Sequence, residues 1–132
     1  SKPRRFPTLK DQLAIIFKLH HFFPKILDNY LLVGLILDKE QEVNSVQGSF
    51  LLVRRELIEK LGHAFDERFF IWFEDVDLCR EAKKMGYKVV YQPAFECIDY
   101  GGESFKKRNF VWKQFQFTGS MIRYFRKWKN RD

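Results

Sequence analysis

Residues 69–79 read FFIWFEDVDLC: five large apolar side chains, three carboxylates within four positions, then apolar residues again. The abrupt change marks the end of a buried strand or loop and the start of a helix, because Asp and Glu in a first helical turn cap free N–H groups and suit the positive end of the helix dipole. The same pattern also serves proton chemistry, with one of Glu74, Asp75 and Asp77 held beside an apolar wall of Phe69, Phe70, Ile71, Trp72 and Phe73. Downstream, EDVDLCREAKKMG predicts a helix from Glu74 that buries Leu78, Ala82 and Met85 and stops at Gly86, and YKVVYQP predicts a strand ended by Pro93. Upstream, ELIEKLG is a short helix with Gly62 in the capping position. Residues 43–55, VNSVQGSFLLVRR, have a strand-like pattern interrupted by Gly48, which marks a bend or a close backbone approach. Short strands alternating with helices give an α/β class.

Nearer the N-terminus, Thr8 with Asp11 forms a capping pair ahead of a helix through about Leu19, and Pro24 ends or kinks the segment after it. His20 and His21 sit at that end with no third ligand at a metal-binding spacing, so they read as helix-end decoration. The polar residues 38–44 read as a loop.

The 132 residues suffice for one domain with a real core, and 45% hydrophobic with 17% aromatic composition excludes a disordered chain. The longest apolar runs, such as LLVGLIL at residues 31–37, fall well short of the ~20 residues a membrane-spanning helix needs. The start, SKPRRFP, has neither an initiator Met nor a signal-type apolar segment, which suggests a piece of something longer. Cys79 and Cys97 lie in no metal spacing and read as reduced, structural residues in a cytosolic setting. The net charge of +7 is local: residues 1–105 hold 15 Lys/Arg against 16 Asp/Glu, and residues 106–132 hold 9 against 1.

That confinement argues against a noncatalytic module that grips nucleic acid with interleaved basic and aromatic residues, the alternative reading from a different class. Projected at about 100° per residue, the tail places Phe110, Val111, Phe115, Phe117, Met121, Ile122, Phe125 and Trp128 on one half, with Lys113, Arg123, Arg126 and Lys127 on the other. Such a helix either lies on an anionic membrane surface or packs its apolar half on the domain.

Taken together, GSFLLVRRELIEKLG, AFDERFFIWFEDVDLCREAKKMGYKVVYQP and DYGGES resemble the C-terminal, acceptor-side half of family-2 glycosyltransferases, in particular the rhamnosyltransferase-like branch. The resemblance covers about residues 43–125 and is tightest over 47–104. It implies part of a GT-A fold, with a short mixed sheet, flanking helices and the C-terminal amphipathic helix. The expected organisation is a helical connector (1–42), a catalytic half-domain (43–105) and the basic helix (106–132).

The implied activity is inverting transfer of a hexosyl or deoxyhexosyl group from a sugar nucleotide to a hydroxyl, in cell-surface polysaccharide or glycolipid synthesis. The Asp of the family's ED pair is the base and maps onto Asp75, since an acceptor hydroxyl is a poor nucleophile until its proton is taken. Glu74 orients the loop or contacts a substrate, and Asp77 caps the helix. Gly48 lets the backbone approach a sugar, and Trp72 offers an aromatic face or belongs to the core. The family usually has a metal-binding His where this chain has Asp99, two residues before Gly101, so Asp99 either ligates a divalent Mg²⁺ or Mn²⁺ or only closes the turn. The metal would be held mainly by a donor half with a DxD motif. Asp75 and Asp77 spell D-V-D, but within the ED context. The implied partners are the donor, a lipid-linked acceptor and the inner face of the cell membrane, reached from the cytoplasm through residues 106–132. Nucleic acid is not among them. The isolated piece is expected to be inactive and to self-associate, and a degenerate relative kept for protein interaction is a third reading.

Overall fold

The computed structural model describes residues 2–95, 97–98 and 108–129. Its elements are α1 (Leu9–Ile16), two 3-10 turns (Leu19–His21 and Pro24–Leu27), β1 (Gln41–Glu42), α2 (Arg55–Leu61), α3 (Glu74–Lys84), β2 (Val90–Tyr91) and α4 (Phe110–Trp128). β1 and β2 pair antiparallel, with Gln41 opposite Tyr91 and Glu42 opposite Val90.

Helix ends obey local chemistry. Thr8 and Asp11 form a reciprocal capping box, the Thr8 N–H donating to Asp11 Oδ2 at 2.8 Å. α1 stops at Ile16, short of the expected Leu19, because Lys18 turns left-handed at φ 53°. Gly62 closes α2 in the left-handed conformation that a side chain would disfavour. The Asn109 side chain caps α4 by accepting from Trp112 N at 2.8 Å.

The predicted strands are shorter than their patterns. Residues 43–55 contain no strand among the described residues: the Val43 N–H donates to Val89 O at 2.9 Å, Ser45 bridges to Arg4, and the chain then turns at Gly48. Strand-like sequence needs a partner edge, and no described strand lies opposite Leu51, Leu52 and Val53. These residues instead line an open apolar depression of ≈ 870 Å³ together with Phe95 and Tyr91. Among the described residues the sheet is therefore two-stranded and antiparallel rather than mixed.

α3 lies between two apolar clusters. Leu78, Cys79 and Ala82 pack with Val43, Leu57 and Val89 on one side, while Val76 packs with Phe69, Phe73, Met121, Tyr124 and Trp128 on the other. Phe6 touches both clusters. Met85, expected inside, is exposed: the helix ends there, and Tyr87 folds back so that its N–H reaches Ala82 O at 3.0 Å and its ring joins the core. Cys79 is buried and Cys97 is exposed, so only the first is a core residue.

Candidate functional site at the start of α3

Asp75 is the second residue of α3 and is half-buried. Its Oδ2 accepts the Gly48 N–H at 2.9 Å, and its Oδ1 accepts the Val76 N–H at 2.7 Å. Two N–H donors occupy about half of the carboxylate's four acceptor positions, fixing its orientation while leaving lone pairs for a further proton. Gly48 has to be small for this: a Cβ there would lie 3.2 Å from Asp75 Cβ. The close approach read from Gly48 is thus an approach to Asp75 itself.

Glu74 is half-buried, and its Oε2 is a buried oxygen with no hydrogen-bond partner. Burial pushes its carboxyl above the ordinary carboxylate value, and the neighbouring Asp75 charge adds to the rise.

The expected apolar wall is divided. Phe69 and Phe73 are buried against α4, Phe70 points outward edge-on to Trp112, and Trp72 packs edge-on against Phe117 at 5.6 Å as part of the core fringe. Trp72 and Phe73 both hold positive φ, 60° and 69°. Non-glycine residues in that region store roughly 1–3 kcal/mol each and persist only when their surroundings over-determine them. Here the Phe117 ring contacts both, and Ser120 Oγ donates to Ile71 O at 2.8 Å.

Asp77 does not cap the helix. Its side chain is 2% exposed, with Oδ2 at 2.6 Å from Lys127 Nζ and Oδ1 accepting from Trp128 Nε1 at 2.8 Å. Lys127, expected on the water face of the tail, has a side chain only 4% exposed and also meets Asp66 and Glu81, both at 3.0 Å. Burial works against this ammonium, but the bonds to Asp77, Glu81 and Asp66 more than offset it and raise its pKa. Burial pushes Asp77 up, Lys127 and Trp128 opposing. Asp66 is held well below the usual carboxylate range, first by Arg68 and then by Lys127. One signal for this centre was in the sequence: Asp77 and Glu81, four residues apart on one helix face, repel unless a cation comes between them.

The remaining tail expectations split. Met121 and Trp128 are buried on the domain, with Phe117 and Phe125 beside them, whereas Phe110, Val111, Phe115 and Ile122 stay exposed. The apolar half is wider than one packing seam, so a projection could not divide it. His20 and His21 stack on each other at 4.4 Å. Among the described residues no group of three His, Cys, Asp or Glu could hold a metal ion, and Asp75 and Asp77 are directed to different partners. The described residues therefore do not fit a divalent metal. Asp99 and the Gly101–Gly102 pair lie outside the described residues. None of the three main cavities includes Glu74, Asp75, Gly48 or Trp72.

The family described as glycosyltransferase like family 2 matches residues 32–116. The chain belongs to that family. Membership implies the GT-A fold, of which the described residues form a mixed α/β part with one small sheet. An N-acetylglucosaminyl-diphospho-decaprenol L-rhamnosyltransferase of Mycobacterium tuberculosis is 42% identical over 65 residues, covering 49% of this chain and 21% of the relative. The rhamnosyltransferase WbbL of Escherichia coli is 31% identical over 112 residues, covering 83% of this chain and 39% of the relative. This family-2 glycosyltransferase chain thus spans well under half the length of these relatives. No solved structure matches it.

Proposed function

We propose that this chain supplies the acceptor side of an inverting glycosyltransferase that moves a deoxyhexosyl group, rhamnose by analogy with the named relatives, from a sugar nucleotide to a hydroxyl of a lipid-linked acceptor. The observation that carries the reading is the Asp75 carboxylate, held by the Gly48 N–H at 2.9 Å and still half-open to solvent. In a single displacement the acceptor oxygen forms the bond to the anomeric carbon as Asp75 takes its proton, and the bond to the nucleoside diphosphate breaks with its electron pair. Such a reaction inverts the anomeric centre. Cell-surface polysaccharide or glycolipid synthesis is the setting that suits this chemistry. In this organisation residues 1–42 connect, 43–105 carry the acceptor side, and 106–132 face the inner leaflet of the cell membrane from the cytoplasm. No described helix is long and apolar enough to cross a bilayer.

The chain covers 21% to 39% of its relatives' length, which supports reading it as one wall of such a site, with turnover belonging to the intact protein. Any divalent metal would find its ligands outside the described residues, with Asp99 the candidate this chain adds. Trp72, committed to Phe117, supports the turn more than it offers a sugar a face.

Glu74 supports a second reading, in which the desolvated neighbour is the base and Asp75 only anchors the loop. The two are separated in the complete enzyme. Asp75→Asn is expected to lower turnover about 10²- to 10⁴-fold with donor affinity nearly intact, and Glu74→Gln less than tenfold. Near wild-type turnover in Asp75→Asn, with the loss moved to Glu74→Gln, would transfer the role to Glu74.

A further inference from the structure

α1 sets Ile16 against the second apolar cluster but leaves much of its apolar surface uncovered. It buries Gln12 and Ala14, while Leu9 and Leu13, with Phe17 as the C-cap, form an exposed apolar stripe at i, i+4 and i+8. The informative feature is that these exposed side chains are contiguous along one face. The stripe runs on into the adjoining 3-10 turns, where Phe22 is 78% exposed, more than Phe17 at 65%.

α1 approaches α4 at two points. At one end Leu9 shares a groove of ≈ 660 Å³ with Ile122 and Phe125, and at the other Lys18 Nζ sits 5.9 Å from the centre of the Phe110 ring. Val111 and Phe115 on α4 are exposed, as the stripe on α1 is.

Charge has the same boundary. Residues 1–27 hold 6 Lys/Arg against 1 Asp/Glu, and residues 108–129 hold 6 against none, one of these 6 being the buried Lys127. Residues 28–107 hold 11 against 15. Both strongly basic parts of the sequence expose apolar side chains; the acidic stretch between them exposes others, Val33 and Leu52 among them, but without that excess of cations. Both nucleic acid and an anionic bilayer attract such cations, but stacking needs aromatic faces, and half of this surface is aliphatic. Aliphatic and aromatic side chains both partition into the acyl boundary beneath anionic headgroups.

We infer that α1 with its adjoining turns is the second half of a bipartite docking surface for an anionic phospholipid bilayer, the outer face of α4 being the first. The inference rests on the membrane reading above and adds to it a surface in which neither segment suffices.

The test is flotation of the full 132-residue chain with vesicles of phosphatidylcholine containing increasing phosphatidylglycerol. Wild type should float only with the anionic vesicles and be released as salt rises. Phe17→Ser with Phe22→Ser, and separately Val111→Ser with Phe115→Ser, should each lower partitioning at least tenfold with circular dichroism unchanged. Because these side chains are exposed, folding is not expected to suffer. Lys10→Glu with Lys25→Glu gives a charge-only variant that should lose about tenfold without any apolar change. Loss on altering α4 but not α1, with the charge variant unaffected, overturns the bipartite surface and leaves the tail reading standing. No flotation of wild type overturns both readings. Complete displacement from the vesicles by a single-stranded oligonucleotide at matched phosphate concentration overturns them as well, marking a nucleic-acid surface.

Discussion

Replacing Lys127 with Met removes the ammonium from a site where Asp66, Asp77 and Glu81 all lie within 3.0 Å of it. Asp66 keeps Arg68, but Asp77, 2% exposed, is left with the Trp128 indole alone. Removing one partner of a buried pair costs about 3–5 kcal/mol, because the remaining charge stays desolvated and unpaired. Against a total stability of roughly 5–15 kcal/mol for a domain this is a large fraction, equivalent to a fall in Tm of roughly 10–20 °C at this chain length.

Part of the loss is recoverable by protonation, and the sign is fixed. Asp77 already has a folded-state pKa above its ordinary 3.8 because it is buried, and losing Lys127 raises it further. A raised folded pKa gives stability that is present below the unfolded value and lost as pH rises through the folded one, so the deficit of Lys127→Met should shrink as pH falls from 7 toward about 4. The depressed Asp66 acts oppositely, its contribution fading as pH drops below its ordinary 3.8. Urea unfolding monitored by tryptophan fluorescence, at one low chain concentration, measures both effects. Adding Asp77→Asn, which keeps an oxygen for Trp128 and removes the stranded charge, should restore about half of the loss. A deficit under about 1 kcal/mol for Lys127→Met, or no recovery in the double variant, would refute the claim that this centre is a tightly paired buried cluster.

Gly48→Ala puts a Cβ 3.2 Å from Asp75 Cβ, so the two segments must part by a few tenths of an ångström. Turnover of the complete enzyme should drop about tenfold while stability changes by less than about 1 kcal/mol, and unaltered turnover would separate Gly48 from the chemistry. The isolated chain should self-associate through the open ≈ 870 Å³ depression bordered by Leu52 and Phe95, read by light scattering over a dilution series. A constant mass near 16.0 kDa at every concentration contradicts that expectation.

Helices were legible in the sequence where a local rule sets them. The Thr8–Asp11 box, Gly62 after α2 and the acidic start of α3 each act within a few residues, and each element begins or ends close to where its residues say. Strands were not, because a ladder depends on a partner: residues 43–55 and 87–93 carry β-forming side chains, yet the only ladder among the described residues is the two-residue pairing of β1 with β2. Asp75 could be placed at a helix start by its neighbours, and Gly48 could be marked as a close approach. That the two meet, 27 residues apart, is tertiary information. Lys127 shows the same limit from the other side: periodicity put it opposite Trp128's apolar half, but the domain presents three carboxylates to that side of α4, and a long side chain reaches toward its counter-charges.

α4 braces the site with one face, and the proposed docking uses the other. Its inner face holds α3 through Lys127 with Asp77 and Glu81, and through Tyr124, whose hydroxyl accepts from Arg80 at 3.0 Å. The same face braces the strained turn ahead of Asp75 through Phe117 and through Ser120, which bonds Ile71 O. Two consecutive left-handed aromatic residues would relax without that support, and the direction in which α3 departs, hence the position of Asp75 beneath Gly48, would relax with them. The outer face, with Val111 and Phe115, contributes nothing to this bracing and is free to meet a membrane. Under the proposed function, a lipid-linked acceptor held at the bilayer surface would reach a carboxylate whose height is set by the helix proposed to dock. Deleting α4 removes the brace and the docking face together, so a truncated chain that fails to bind vesicles reports a collapsed site as readily as a lost lipid contact. Only substitutions confined to the outer face, leaving Phe117, Ser120, Tyr124 and Lys127 in place, separate the two.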